Sequence, residues 1–117
     1  MKYALVTGAS RGIGKAVALR LAKRGFCTII NYLNNHEAAE QVKREIEQEG
    51  GYAELLPFDA SQPQQIEAAI DQWESAHPDE WISILVNNAG IRRDNVMFMM
   101  SNDDWHDVLD TNLNGFF

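Results

Sequence analysis

The sequence predicts an α/β fold: a doubly wound parallel sheet, truncated to about four strands in the order 3-2-1-4, with helices flanking both faces. Three observations predict it. Short β-branched, apolar runs recur at positions 3–7, 27–31, 53–58 and 83–87, and each is followed by a longer segment whose apolar residues have helical spacing. The runs are apolar almost throughout rather than alternating, which is the pattern of strands buried on both faces. Pro57 lies inside the third run. A proline in a sheet is confined to edges, strand ends and bulges, so the third strand belongs at an edge, where this order puts it.

The elements follow in turn. The first strand runs into Gly8, and the first helix opens near Gly12 and buries Ile13, Val17 and Leu21. A second helix, capped by Asn34 with Glu37 three residues on, buries Ala39, Val42 and Ile46 and stops at Gly50 and Gly51. A third, opened by Ser61 and Gln64 in capping-box spacing, aligns Ile66, Ala69, Ile70 and Trp73; a fourth, opened by Ser101 and Asp104, carries Trp105, Val108 and Leu109. Each helix leaves enough chain for a right-handed crossover between parallel strands. The fourth strand is expected to be central, with nothing in the chain to cover its far side, so residues 1–117 read as the N-terminal part of one domain.

Composition narrows the function. A chain of 117 residues fits one domain or part of one. Seventeen acidic against ten basic residues give a net charge of −7, which repels a polyphosphate backbone and argues against a nucleic-acid partner. Cys27 is the only cysteine and lies in the apolar run 26–30, so no disulfide forms within the chain, no cysteine metal site is offered, and a reducing, cytoplasmic setting is expected. Met1 and Lys2 lead straight into a strand, and no stretch reaches the ~18 apolar residues of a membrane span; no leader and no membrane partner are expected. His36, His77 and His106 lie in separate segments without companions at ligand spacing, so no metal site is expected.

The segment TGASRGIG, residues 7–14, places Gly8, Gly12 and Gly14 between a strand and a helix. Such a turn makes an anion site, because unpaired N–H groups and the helix dipole converge where a pyrophosphate can approach without Cβ atoms in the way. A P-loop needs Gly-x4-Gly-Lys-Ser/Thr, but Ala16 follows Gly14-Lys15 and Ala9 stands where the first glycine belongs. The spacing G-x3-G-x-G also differs from the G-x-G-x-x-G dinucleotide turn, carrying Ser10 and Arg11 at its crest.

Thr7 to Gly14, together with Asn87-Asn88-Ala89-Gly90, resembles the paired signatures of the short-chain dehydrogenase/reductases, a Rossmann-type family. The resemblance continues through 91–95 and from Trp105 to Leu113, where the chain is similar to the reductases of 3-oxoacyl groups on acyl carrier protein. It covers the whole chain and the N-terminal half of the family's domain. The resemblance implies that Gly8, Ala9, Ser10, Arg11, Gly12, Ile13 and Gly14 hold the pyrophosphate and adenosine ribose of a nicotinamide cofactor. An acidic residue at the end of the second strand would select NAD; here stand Asn31, Tyr32 and Leu33, with Arg11 available to a 2′-phosphate, so NADP(H) is expected. A solvated Arg11 is the plainer alternative. Asp59, beside Ala60, matches the family's adenine contact and equally fits a turn or helix-entry carboxylate. Asn87, Asn88, Ala89 and Gly90 are implied to brace the sheet and line the nicotinamide side.

The family's chemistry, as the resemblance implies it, passes hydride to a carbonyl while a tyrosine with a lysine-lowered pKa donates the proton, a serine polarises the carbonyl and a helix asparagine anchors a relay water. Asn112 matches that asparagine. Tyr3, Tyr32 and Tyr52 are followed four residues later by Thr7, His36 and Leu56, so no Tyr-x3-Lys exists, and the 117-residue chain alone is expected to be inactive. The parent activity implied is NADPH-dependent reduction of a 3-oxoacyl thioester. A short-chain reductase of another carbonyl or alcohol, and a nucleotide-binding module without catalysis, remain alternatives. Arg92, Arg93 and Asp94 fit a substrate approach or a solvated rim, and the apolar run 96–100 fits an acyl mouth or a subunit contact. An uncovered fourth strand and an apolar last helix (Val108, Leu109, Leu113, Phe116, Phe117) predict a homo-oligomer or aggregate.

Overall fold

A computed structural model of the chain describes residues 2–88 and, as backbone, the strand Val96–Met99. In order the elements are β1 (Tyr3–Val6), α1 (Gly12–Lys23), β2 (Cys27–Tyr32), α2 (His36–Gln48), β3 (Ala53–Pro57), α3 (Pro63–Ala76), β4 (Ile82–Asn87) and β5 (Val96–Met99). The sheet order is β3-β2-β1-β4-β5. The first four strands are parallel and in the expected order, with Pro57 ending the edge strand and paired with Tyr32. The β1–β4 register shifts between Tyr3 and Ala4, which face Ile82 and Ile84.

The fifth strand corrects the expectation of an uncovered β4, since 96–99 pairs antiparallel along it from Asn87 to Ile84. The physical reason is length: a parallel neighbour needs a crossover of a dozen or more residues, whereas the eight between Asn87 and Val96 suffice for an antiparallel return. The fourth expected helix lies outside the described residues.

Burial shows why the strands are apolar throughout. Along β1, Tyr3 and Leu5 pack with Cys27, Ile29, Ile66, Ile70 and Trp73 under α3. Ala4 and Val6 join Ile30, Val42, Ile46 and Val86 under α1 and α2 on the opposite face. Every β1 and β2 residue is buried, as a sheet with helices on both faces demands. Among the described residues no helix is long and apolar enough to cross a membrane.

Helix starts and faces differ from expectation in three places. Helix α1 buries Gly14, Ala18 and Leu21, while Ile13 is 62% exposed and Val17 only partly buried. Gly14 must face the β1 turn, and residues four and seven further on share its side, which rotates Ile13 outward. The cap of α2 is Asn35, whose Oδ1 accepts the Ala38 N–H at 3.1 Å, not Asn34. Helix α3 has Gln62 at its N-cap and Pro63 in its first turn, not a Ser61–Gln64 box. Ser61 is instead drawn to Asp59, and the proline presets the first helical φ without needing an N–H. The expected core faces of α2 and α3 are the observed ones, with Ala39, Val42 and Ile46 buried on the first and Ile66, Ala69, Ile70 and Trp73 on the second.

Candidate functional site

The carboxyl ends of β1, β2 and β4 meet at the glycine turn. From β1 the chain winds through β2 to β3 and then returns to the other side of β1 for β4, and this reversal of direction leaves a crevice beside the end of β1. Gly8 and Gly12 both have φ +60, a left-handed conformation that glycine adopts at no steric cost. A Cβ on Gly14 would overlap the Gly8 carbonyl, so the start of α1 presses directly on the turn.

This turn is fastened on both sides. Toward β4, the Thr7 N–H donates to the Val86 carbonyl at 3.0 Å, the Asn88 N–H donates to Thr7 Oγ1 at 2.7 Å, and Asn88 Nδ2 reaches the Gly8 carbonyl at 3.4 Å. Toward β2, Asn31 Oδ1 accepts the Gly8 N–H at 3.1 Å and the Asn31 carbonyl accepts the Ala9 N–H at 2.9 Å. Thr7 and Asn31 were not singled out as site residues from the sequence. The available signal was a polar residue inside each apolar run, because a buried polar group must find partners.

The N-terminus of α1 is electrostatically open. Its N-cap, Arg11, is extended and exposed, makes no side-chain capping bond, and no acidic residue lies in the first turn. The N–H groups of the first turn have no intrahelical acceptors and carry the positive end of the helix dipole. Helix α2 shows the contrast: its N-terminus is closed by Asn35 and Glu37. An anion-binding role fits α1 and not α2.

The remaining expected residues fall at the same edge with unequal access. Ala9 is buried and Ser10 partly so. Tyr32 is buried, its hydroxyl 2.6 Å from His36 Nδ1, while Leu33 is 56% exposed. Asp59 accepts from the Ser61 N–H at 3.0 Å and from the Ser61 hydroxyl at 2.6 Å, and these bonds, the hydroxyl's first, hold its carboxyl below the usual aspartate range. Its turn role is therefore present in the fold. Ala60 is buried. Asn87 ends β4 and Asn88 sits on the glycine turn; Ala89, Gly90 and Asn112 lie outside the described residues, as do Arg92, Arg93 and Asp94.

A doubly wound parallel core whose first strand runs through a glycine turn into an uncapped helix defines a Rossmann-type nucleotide-binding fold. Residues 2–117 match the family described as short chain dehydrogenase, and the chain belongs to that family. A Staphylococcus aureus protein named 3-oxoacyl-(acyl-carrier-protein) reductase FabG is 42% identical over 116 residues, which cover 99% of this chain and 46% of that protein. A Synechocystis 3-oxoacyl-(acyl-carrier-protein) reductase is 43% identical over 118 residues, covering 99% and 46%. Among solved structures, a metagenomic short-chain oxidoreductase in complex with NADP superposes with a TM-score of 0.66 at 39% identity, covering 77% of this chain and 39% of that one. A blue fluorescent protein from a metagenomic library, in complex with NADPH, gives 0.66 at 36% identity, covering 77% and 36%. The chain thus spans about half the length of the curated relatives it matches.

Proposed function

We propose that this chain is the N-terminal, NADP(H)-binding part of a single Rossmann domain, in a reductase that converts 3-oxoacyl thioesters on acyl carrier protein to 3-hydroxyacyl thioesters. The observation that carries the reading is the uncapped N-terminus of α1, pressed by Gly14 against a left-handed Gly8 at the crevice beside β1. The names of the relatives support the substrate class, and the NADP and NADPH complexes of similar folds support the cofactor.

Gly8, Ala9, Ser10, Gly12, Ile13 and Gly14 would hold the pyrophosphate through backbone N–H groups, without a Cβ in its path at the glycines. Arg11 would meet the 2′-phosphate, and β2 offers no carboxylate at Asn31, Tyr32 or Leu33 to favour a free 2′-hydroxyl. Asp59 and Ala60 would border the adenine, and Asn87, Asn88, Ala89 and Gly90 the nicotinamide ribose. When bound, the cofactor supplies hydride to the substrate carbonyl. Asn112 would anchor a relay water. Without a Tyr-x3-Lys in its sequence, the chain by itself binds the dinucleotide and does not reduce the ketone; with its partner subunits the reductase is a homo-oligomer.

Fluorescence titration of the chain with NADPH and NADH tests the reading. NADPH should bind more tightly, and Arg11→Ala should reduce that preference by about tenfold, the loss of one charge-assisted contact. Absence of NADPH binding, or a preference that Arg11→Ala leaves intact, overturns it. Turnover of an acetoacetyl thioester by the chain alone would overturn the statement about catalysis.

A further inference from the structure

Asn31, the penultimate residue of β2, is 1% exposed, and its carboxamide joins two segments that no backbone ladder connects. Its Oδ1 accepts the Gly8 N–H at 3.1 Å, while its Nδ2 donates to the carbonyls of Leu56 and Phe58, each at 3.1 Å. The orientation of the amide follows from its partners, since carbonyls only accept and the Gly8 N–H only donates. Both amide hydrogens and the oxygen are therefore used. On one side lies the first glycine of the phosphate turn; on the other, the end of β3 immediately before Asp59.

We propose that Asn31 is a positioning residue of the dinucleotide site, locking the pyrophosphate turn at Gly8 to the adenine-side segment that begins at Phe58. The inference rests on the nucleotide-binding reading above. The three bonds need a carboxamide, with one accepting oxygen and two donated hydrogens, at the short reach of an asparagine. An aspartate accepts from Gly8 but, ionised, turns an oxygen toward two carbonyl oxygens. A leucine of similar shape removes the side-chain partner of the Gly8 N–H and of the Phe58 carbonyl. The lock also gives β2 a chemical reason to carry an amide rather than an acid at Asn31: the carboxamide is spent on the backbone. Leu33, two residues on, is the exposed side chain of this stretch.

Three measurements on the 117-residue chain test the lock. In the unliganded wild type, the Gly8 amide should be protected from hydrogen exchange although it lies in a turn; exchange at the rate of a free loop amide overturns the proposal without any variant. Asn31→Leu, uncharged and of similar shape, should raise the NADPH dissociation constant about tenfold or more, the cost of leaving the turn's Gly8 N–H and the Phe58 carbonyl without this partner. Ile66→Val, in the core under α3, serves as a control that lowers stability away from the turn. A merely structural Asn31 would give the two folded variants the same affinity, and that result overturns the proposal, as does an Asn31→Leu affinity within twofold of wild type. If Asn31→Leu does not fold, Asn31→Ser, which keeps one donor and one acceptor, is held to the same comparison. Should the wild type bind no NADPH, the nucleotide reading has failed and takes this inference with it; should it bind while the variants behave like the control, only this inference has failed.

Discussion

A methyl group added at Gly14 would overlap the Gly8 carbonyl and crowd the Asn88 carboxamide, whose Nδ2 would lie 2.8 Å away. Gly12 has no atom within 4 Å of such a methyl but holds φ +60. Gly14→Ala therefore costs the overpacking of a tight contact, on the order of 1–3 kcal/mol. Gly12→Ala costs only the left-handed backbone, about 1–2 kcal/mol. The two separate on a second axis: Gly14→Ala should shift the amide resonances of Gly8 and Asn88, while Gly12→Ala leaves Asn88 in place. Urea unfolding with amide spectra reads both, and an unmoved Asn88 in Gly14→Ala would refute the contact. A third residue tests the interior. Thr28 is fully buried on β2 and its Oγ1 has no hydrogen-bond partner, so Thr28→Val removes an unsatisfied hydroxyl while keeping the branch at Cβ. It should stabilise the chain by about 1 kcal/mol; a lowered urea midpoint would show that the hydroxyl is satisfied.

At the scale of elements, the ends of helices decide more than their middles. The α2 N-terminus has two adjacent asparagines, and only the Asn35 side chain accepts an N–H from the first turn. Asn35→Ala should cost about 1 kcal/mol, whereas Asn34→Ala stays within ~0.5 kcal/mol. Equal effects in thermal melts would reject this assignment of the cap. The pair also shows where sequence reasoning stops. Apolar spacing on α2 and α3 predicted Ala39, Val42, Ile46, Ile66, Ile70 and Trp73 as core because burial repeats with the helix period. Capping depends on which of two similar side chains has the right backbone torsion, and spacing does not carry that information. Ile13 was misassigned for a related reason, since the demand that Gly14 face the turn outweighs the apolar moment of its neighbour. The glycine turn itself was legible because steric freedom at three fixed positions has few other uses, whereas the Asn31 lock depends on a partner 25 residues away that only the folded sheet brings near.

For the whole molecule, the two ends of the sheet carry different chemistry. The carboxyl end holds the glycine turn; the amino end holds Tyr3 and Cys27, paired across β1 and β2. Burial pushes the Cys27 thiol up to about 12, with the Glu54 and Glu80 charges adding to it. Burial first, then the bond from its hydroxyl to Glu80 Oε1 at 3.0 Å, raises Tyr3 beyond the usual tyrosine range. Both groups are neutral when protonated and have raised values in the fold. Their stabilisation is therefore complete below the unfolded values, about 8.5 for a thiol and about 10 for a phenol, and is lost as pH rises toward the folded ones. Unfolding free energy should accordingly fall between pH 8 and pH 10.5, and Cys27→Ala should flatten the first part of that fall. A nucleotide bound only to the folded chain adds a separate increment, about 2.7 kcal/mol at a hundredfold excess over its dissociation constant. Kept at the same multiple of its dissociation constant at each pH, NADPH adds the same increment at pH 8 and at pH 10.5 by mass action alone, so the separation of the titrating groups from the turn is tested by the dissociation constant. That constant should itself change little between the two conditions. Urea unfolding at both pH values, with and without NADPH, makes the comparison. A dissociation constant that rises steeply over the range in which Cys27 and Tyr3 weaken the fold would mean that the amino end of the sheet communicates with the glycine turn, and that the two ends do not act independently.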